Sequence, residues 1–498
     1  MSTVAHEPHL EREAVGLAPI LFQSITHMAP AAAVAFSIIV GVPYAGGSIP
    51  LSVALAMVAC LLCAISIGQL ARHLPSAGGL YTFSSRGVGA PVGFLVAWGF
   101  MLAEPIVAPL LYLIFGNELA ANLNSHYGWP LWLWAPFAVI AGLIVWVLTY
   151  RGVRLSTRTG VVLGSFEIAV FVALALTLIV AAGGNNTLSV FGPSTGNAKG
   201  WGSVFPGMIF AILAFIGFEA SLPLAEEARD PRRTVPRAVF LSALLIGLFY
   251  LFCYYAATVY FGPDKMADPK NGFITFNAGD PWSGLAQKVW GPGIVIVILA
   301  VLNSAIANSN AGANAATRVG YALARIGLLP RALQRVHPRF RTPYVAVHVQ
   351  AIGGIVLAVA LGWVTGGPLN AFALLGTVAT IIVVTIYILT NISNLVFYLR
   401  ERRGEFNIVL NGIVPVVGSL IFLPALVAAF GIDFAGLGIT PLTSPANLAG
   451  PIIGVWMLAG IGLLIYFSQR SPGRIADTGR VFLDDPEVVA TGEATSQN

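Results

Sequence analysis

Long apolar stretches and short polar ones alternate along almost the whole chain. Twelve apolar runs can be drawn, at about 17–41, 49–70, 91–117, 131–150, 159–182, 203–225, 236–261, 290–316, 344–363, 370–396, 408–430 and 449–468. A helix needs about 20 apolar residues to cross a hydrocarbon core of roughly 30 Å. The runs match that length and lack the period-two alternation of a membrane barrel strand. The pattern therefore predicts an all-α membrane protein with twelve transmembrane helices. Residues 1–16 and 469–498 are polar and read as tails. Met1–Glu13 is polar and acidic and does not read as a signal peptide.

Composition agrees with the pattern. Of 498 residues, 57% are hydrophobic and 9% are charged, whereas soluble domains carry about 25% charged residues. Mean hydropathy is +0.82. Such a chain has too few charges to cover a water-facing surface, so lipid is its solvent. The net charge of +5 would suit nucleic acid, but the placement of the charges accounts for it otherwise, and no nucleic-acid partner is expected. Twelve spans put both termini on one side. With that side cytoplasmic, only Lys199, Lys265, Lys270 and Lys288 of the 26 Lys and Arg residues fall outside. Every inside loop is richer in basic residues than its neighbours, as the positive-inside rule requires. The cluster Arg229, Arg232, Arg233 and Arg237 is first of all a topology signal. Trp129, Trp132, Trp134, Trp201, Trp282, Trp290 and Trp363 fall near the outer interface, where an aromatic belt is expected. Cys60 and Cys63 are spaced as CxxC, but within an apolar run and with no second pair, so they read as packing residues.

Two runs look interrupted. The first contains THMAPAAAVAFS, with Pro30 near its middle and Ala29, Ala31, Ala32 and Ala33 around it. Proline removes a backbone N–H and clashes with the preceding turn, and small neighbours leave the backbone accessible. The sixth contains FIGFEASLP, with Gly217, Glu219 and Pro223. Transporters bind solutes at discontinuous helices near the bilayer midplane. If runs one and six each begin a five-helix unit, the two units lie inverted in the membrane, because five is odd. The alternative is that both are ordinary kinks. The predicted organisation is a first repeat over 17–182, a second over 203–396, and two appended helices over 408–468.

Three stretches carry a family resemblance. LPSAGGLYTFSSRGVGAPVGFLVAW (Leu74–Trp98), FIGFEASLPLAEEARDPRRTVPRAV (Phe215–Val239) and RVGYALARIGLLPRALQRVHPRFRTP (Arg318–Pro343) resemble segments of the amino acid–polyamine–organocation (APC) permeases, and the likeness runs from about Gly16 to Arg403. It implies a five-plus-five inverted repeat of the LeuT type, secondary active transport, and amino acid or amine substrates. Many members carry a Gly-Ser/Ala-Gly triplet at the first break, whose amides bind the substrate carboxylate. The matching place here is Met28-Ala29-Pro30-Ala31-Ala32, where Pro30 offers no N–H. Ile326 stands where the family often has an acid, a departure expected to affect a cytoplasmic contact. The branch that includes putrescine importers also has a proline in the first helix and an acid in the third, as Glu104 is here.

An ionised side chain at the bilayer centre costs about 2.5–3.5 kcal/mol on insertion scales, so such residues usually line a pathway. Glu219 lies in the sixth run, either as a proton-linked gate or amine contact, or as a cap on freed amides. Glu104 precedes Pro105 and would pair with a substrate ammonium or bond backbone freed by Pro105 and Pro109. Glu167, in the fifth run, would hold a proton or a cation beside the first break. Glu118 reads as solvated near the outer interface. His27 adjoins the first break and titrates near neutral pH when unperturbed; its alternative is packing. Phe215 and Phe218 are candidate gating aromatics or core. Asn303, Asn310 and Asn314 share one face of the eighth run, for the cavity or for interhelical bonds.

The expected function is secondary active import of amino acids across the plasma membrane by alternating access. The solute would bind at Met28–Ala32, Glu104, Phe215 and Gly217–Glu219. Coupling would run through Glu219, Glu167 and His27, by a proton or alternatively sodium. A polyamine importer and an amino acid exchanger are the alternatives, with a channel or a transport-inactive sensor from other classes. No P-loop or HExxH motif is found, so no enzyme activity, cofactor or metal is expected. The sequence sets no oligomeric state.

Overall fold

Proline punctuates this chain where a helix can use it. Pro50, Pro91, Pro231, Pro281, Pro368 and Pro415 each sit in the first turn of a helix, where the missing N–H would have had no partner. The computed structural model describes residues 16–74, 79–152, 157–225, 228–325, 329–432 and 438–470. Nearly all of both predicted tails lies outside these residues, as do Arg12, Arg154, Ile326, Arg474 and Arg480. Among the described residues the regular elements are helices and there is no strand.

The helices are α1 (Leu17–His27), α2 (Ile49–Ala71), α3 (Gly79–Gly87), α4 (Ala90–Tyr127), α5 (Trp134–Tyr150), α6 (Thr157–Ala182) and α7 (Trp201–Phe215). They continue as α8 (Pro231–Phe261), α9 (Pro281–Trp290), α10 (Ile294–Arg325), α11 (Tyr344–Val364), α12 (Pro368–Arg400), α13 (Val414–Ala429) and α14 (Ala449–Arg470). Ten helical segments among the described residues are long and apolar enough to cross a membrane. One of them, Leu17–Ala71, is 55 residues long, far beyond one crossing, and it is broken. α7 stops at 15 residues, so the sixth run, drawn at 203–225, is α-helical only in its first part, with a short 3-10 turn at Leu222–Leu224. α3 and α9 are short helices that the hydropathy pattern did not call for.

α12 is the most enclosed span and packs on α4 and α2, while α10 lies along α4 and α8 along α2. Where α7 crosses the segment after α1, glycine permits the approach: a Cβ on Gly41 would stand 2.8 Å from the Gly207 carbonyl oxygen. Small residues allow such close crossings where lipid offers no hydrophobic drive. Cys60 and Cys63 are fully buried, facing protein.

Two expectations are corrected by burial. Trp129, Trp132, Trp201 and Trp363 are about half exposed, but Trp134 and Trp282 are buried. Trp282 packs against Phe171, Tyr254 and Phe273, because the short helix α9 folds back into the protein. Glu118 is also fully buried. α4 continues to Tyr127, nine residues past it, so Glu118 lies within the helix and not at a wet end.

Candidate functional site

The first break follows from Ala29-Pro30. A residue before proline is pushed out of the right-handed helical region, and Ala29 takes the left-handed one at φ 48°, ψ 66°. For a residue with a Cβ this costs roughly 1–2 kcal/mol. α1 therefore ends at His27 and a new turn starts at Pro30. The turn runs into a π-helical stretch, Ala33–Ser37, a widening often found at functional sites. The Val34 carbonyl in this stretch accepts from the Tyr254 hydroxyl at 2.7 Å.

The second break follows α7. Ile216 leaves the helical region, and Gly217 has φ 114°, a conformation that side chains rarely adopt. The two breaks meet here. A Cβ on Gly217 would stand 2.6 Å from His27 Cδ2 and 3.0 Å from the His27 carbonyl carbon. The Ser221 N–H donates to Ser24 Oγ at 3.1 Å. The Tyr250 hydroxyl of α8 lies 3.0 Å from the Met28 carbonyl oxygen and 2.9 Å from that of Ala214. One phenol thus serves orphan carbonyls at the ends of both α1 and α7, a need that every helix end creates.

Carboxylates attend the amides of the breaks. The Gly217 N–H donates to Glu219 Oε2 at 3.2 Å, and the Tyr387 hydroxyl of α12 donates to the same oxygen at 2.9 Å. Across the site, Asn303 of α10 donates to Glu167 Oε1 at 2.5 Å. The Ala31 amide and the Ser304 hydroxyl lie beside the same carboxylate. Glu104 on α4 lies within electrostatic reach of Glu219. Its Oε2 is buried without a hydrogen-bond partner among the described residues. None of the ion pairs among the described residues involves these three glutamates.

A small cavity of about 50 Å³ lies where the breaks adjoin α4, α10 and α12. His27, Met28, Ala29 and Ala32 line it from the first break, Ala214 and Ile216 from the second. Asn308 lines it from α10, and its buried Oδ1 has no partner among the described residues.

Of the residues proposed from sequence, His27, Met28, Ala29 and Ala32 reach the cavity wall. Pro30 and Ala31 form the turn behind it, and Gly217 lies against His27. Phe215 and Phe218 are fully buried and pack on Tyr250 and Tyr387, behind the residues that line the cavity. Asn310 accepts from Thr149 at 3.2 Å and so ties α10 to α5, Asn314 turns back on Asn310 within α10, and Asn303 reaches Glu167. Sequence reasoning missed Asn308, Tyr250, Tyr254 and Tyr387. Tyr250 and Tyr254 recur four apart in an apolar helix, and a buried tyrosine needs a partner for its hydroxyl; that spacing was the available signal.

With this geometry in view, the sequence model described as amino acid permease matches residues 20–458. The chain is 29% identical over 406 residues to the low-affinity putrescine importer PlaP of Escherichia coli (strain K12), covering 79% of this chain and 83% of the importer. It is 28% identical over 326 residues to the branched-chain amino acid permease BcaP of Bacillus subtilis (strain 168), covering 61% and 66%. The methylthioribose transporter of the same organism is 26% identical over 399 residues, covering 76% and 80%.

Proposed function

The chain belongs to the amino acid permease family, within the APC transporters, whose members move solutes and are not enzymes; on that premise we propose that it is a secondary transporter importing a small amine-bearing solute. It is a multi-pass membrane protein, and our reading places it in the plasma membrane with both termini cytoplasmic. We count twelve crossings, with Leu17–Ala71 counted twice and α7 together with residues 216–225 as one broken span. Paired contacts support two inverted five-helix repeats. α1 packs on α6 and α8, in the fifth and seventh runs; α7 packs on α12 and α2, in the tenth and second. Each pairing maps onto the other when five runs are added or subtracted.

The observation that carries the solute class is the ownership of the break amides. Gly217 N–H is held by Glu219, and Glu167 lies beside Ala31. The protein's own carboxylates thus stand where a substrate carboxylate would bind, and Pro30 has no N–H to add. What remains around the site is acceptor-rich: Glu104 Oε2 and Asn308 Oδ1, both buried without donors among the described residues. An ammonium group supplies those donors. A polyamine needs nothing more. An amino acid would also need a freed amide, and protonation of Glu167 or Glu219 would release one, which is a direct route to proton coupling. Differential affinity of the carrier's two states for proton and solute would couple the two, and the proton gradient would drive import.

The test is uptake into proteoliposomes of radiolabelled putrescine and a panel of amino acids, with and without an inward proton gradient. Saturable, gradient-stimulated uptake of amines is expected, with the gradient effect lost in Glu167→Gln or Glu219→Gln. Dicarboxylates without an amine join the panel as controls, and uptake confined to them would overturn the amine reading. Rapid counterflow without net uptake would identify an exchanger. Pore-like current steps in planar bilayers would identify a channel.

A further inference from the structure

A second pair of buried acids lies away from the cavity and plays no part in the proposal above. Glu118 on α4 and Asp280 at the start of α9 are both fully buried, and they are fastened to the same two residues. Asn122 Nδ2 donates to Asp280 Oδ2 at 2.7 Å and lies 3.3 Å from Glu118 Oε1. Ser283 donates its hydroxyl to Glu118 Oε1 at 3.0 Å and its N–H to Asp280 Oδ1 at 3.2 Å. The two carboxyl groups thus share both partners and lie within electrostatic reach of each other.

Counting donors shows what the cluster lacks. Asn122 also spends its amide hydrogens on the Glu118 backbone carbonyl. Glu118 Oε2 and Asn122 Oδ1 are left buried with no donor among the described residues. Two carboxylates, an amide oxygen and too few donors cannot coexist fully charged in a dry site. Charges on the surrounding elements do not make up the difference. His126 of α4 bonds the Asn122 carbonyl and Gln287. Lys288 of α9 lies over the Phe276 ring. Tyr254 of α8 and Tyr44 after the first break are bonded to Val34 and Thr443. On α6, Phe171 packs on Trp282 and Glu167 is held by Asn303; α12 presents Leu369 beside Gly279.

We propose that Glu118 and Asp280 form a proton-binding site, in which one shared proton fastens the linker before α10 to the far part of α4. With the proton bound, one carboxyl donates to the other and the pair acts as a clasp. When it leaves, two like charges face each other in a buried site and the clasp opens. The linker carries α9 and leads straight into α10, which supplies Asn303 and Asn308 to the candidate site, so proton occupancy here biases the helix that lines the cavity.

The test is thermal unfolding of the detergent-solubilised full-length protein across pH, for wild type, Glu118→Gln, Asp280→Asn and Glu118→Ala. A proton held in the fold and released on unfolding gives stability that is present at acidic pH and lost as pH rises. Wild type is expected to show that alkaline fall in Tm. In Glu118→Gln an amide N–H takes the place of the shared proton, so the alkaline fall is lost while the acid-side Tm is kept. Asp280→Asn is expected to behave alike, since Asn still caps α9. Glu118→Ala lowers Tm throughout. If Glu118→Gln and Asp280→Asn both keep the wild-type pH slope, there is no shared proton and the proposal fails. This outcome is independent of which solute is carried.

Discussion

Tyr387 donates its hydroxyl to the Glu219 carboxylate over 2.9 Å, tying α12 to the break that follows α7. A hydrogen bond to a charged group contributes about 1.5–3 kcal/mol, and this one sits on the residue read as proton-linked. Tyr387→Phe and Glu219→Gln should each lower the maximal uptake rate in proteoliposomes. The double variant should be no worse than Glu219→Gln alone, because both changes remove one unit. Additive losses would mean that the two residues act separately.

Gly217→Ala tests whether the breaks depend on each other. The new Cβ would fall 2.6 Å from the His27 ring and 3.0 Å from its backbone carbon, at a φ of 114°. A ring can move, but the backbone carbon and the φ strain remain. A loss of roughly 1–3 kcal/mol is expected, read as a lower Tm in detergent together with impaired uptake. His27→Ala should restore only part of it. Unchanged Tm and uptake in Gly217→Ala would show that the breaks do not meet as described.

Tyr250→Phe removes one oxygen and leaves the Met28 and Ala214 carbonyls, at the ends of two half-helices, without their shared donor. An unsatisfied buried group costs about 1–3 kcal/mol, so the variant should unfold at lower temperature. The comparison is Tyr254→Phe, which loses its bond to Val34 in the π-helical stretch alone. Tyr250→Phe should alter transport more than Tyr254→Phe, since only Tyr250 spans both breaks.

His73 supplies a pH prediction outside the spans. It follows α2 and lies 3.2 Å from Glu405 in the segment between α12 and α13. Burial lowers its proton affinity; Glu405 opposes this, and Arg402, Arg232 and Arg72 add to it. The unfolded chain therefore binds the proton more readily, and stability from this group is present above the ordinary histidine range and lost as pH falls through it. His73→Gln should flatten that part of the Tm–pH curve, while a curve identical to wild type would remove His73 as its cause.

The membrane fold was legible because lipid demands long apolar helices, and runs such as 344–363 and 370–396 reappear as α11 and α12 within a few residues. The breaks were legible for local reasons: Pro30 cannot continue the helix before it, and Gly217 can take a backbone conformation that other residues rarely adopt. The Glu118 reading failed because the hydropathy of the third run falls before the helix ends, and nothing local announces that Asp280, 162 residues on, folds back against it. Asn308 was hidden among six polar residues of one run. Only the rotation of α10 decides which of them faces the cavity, and side-chain spacing sets that rotation no better than to a face.

Glu104 separates the two solute classes. Its Oε2 is buried with no partner among the described residues, and Glu219 is near enough to add its field. If the ammonium of a diamine binds there, Glu104→Gln removes a charge that a cation needs and a neutral solute does not. An interaction between a desolvated carboxylate and an ammonium is lost along with the charge-assisted bond, about 1.5–3 kcal/mol, or roughly ten- to a hundred-fold in KM for putrescine. A zwitterionic amino acid, held partly by a backbone amide freed at a break, should lose less. Uptake kinetics for both solutes in wild type and Glu104→Gln make the comparison, with Tm as the control for folding. Equal losses for both would mean that Glu104 meets the ammonium that the two share. No loss for either would remove Glu104 from the site and leave Asn308 as the acceptor to change next.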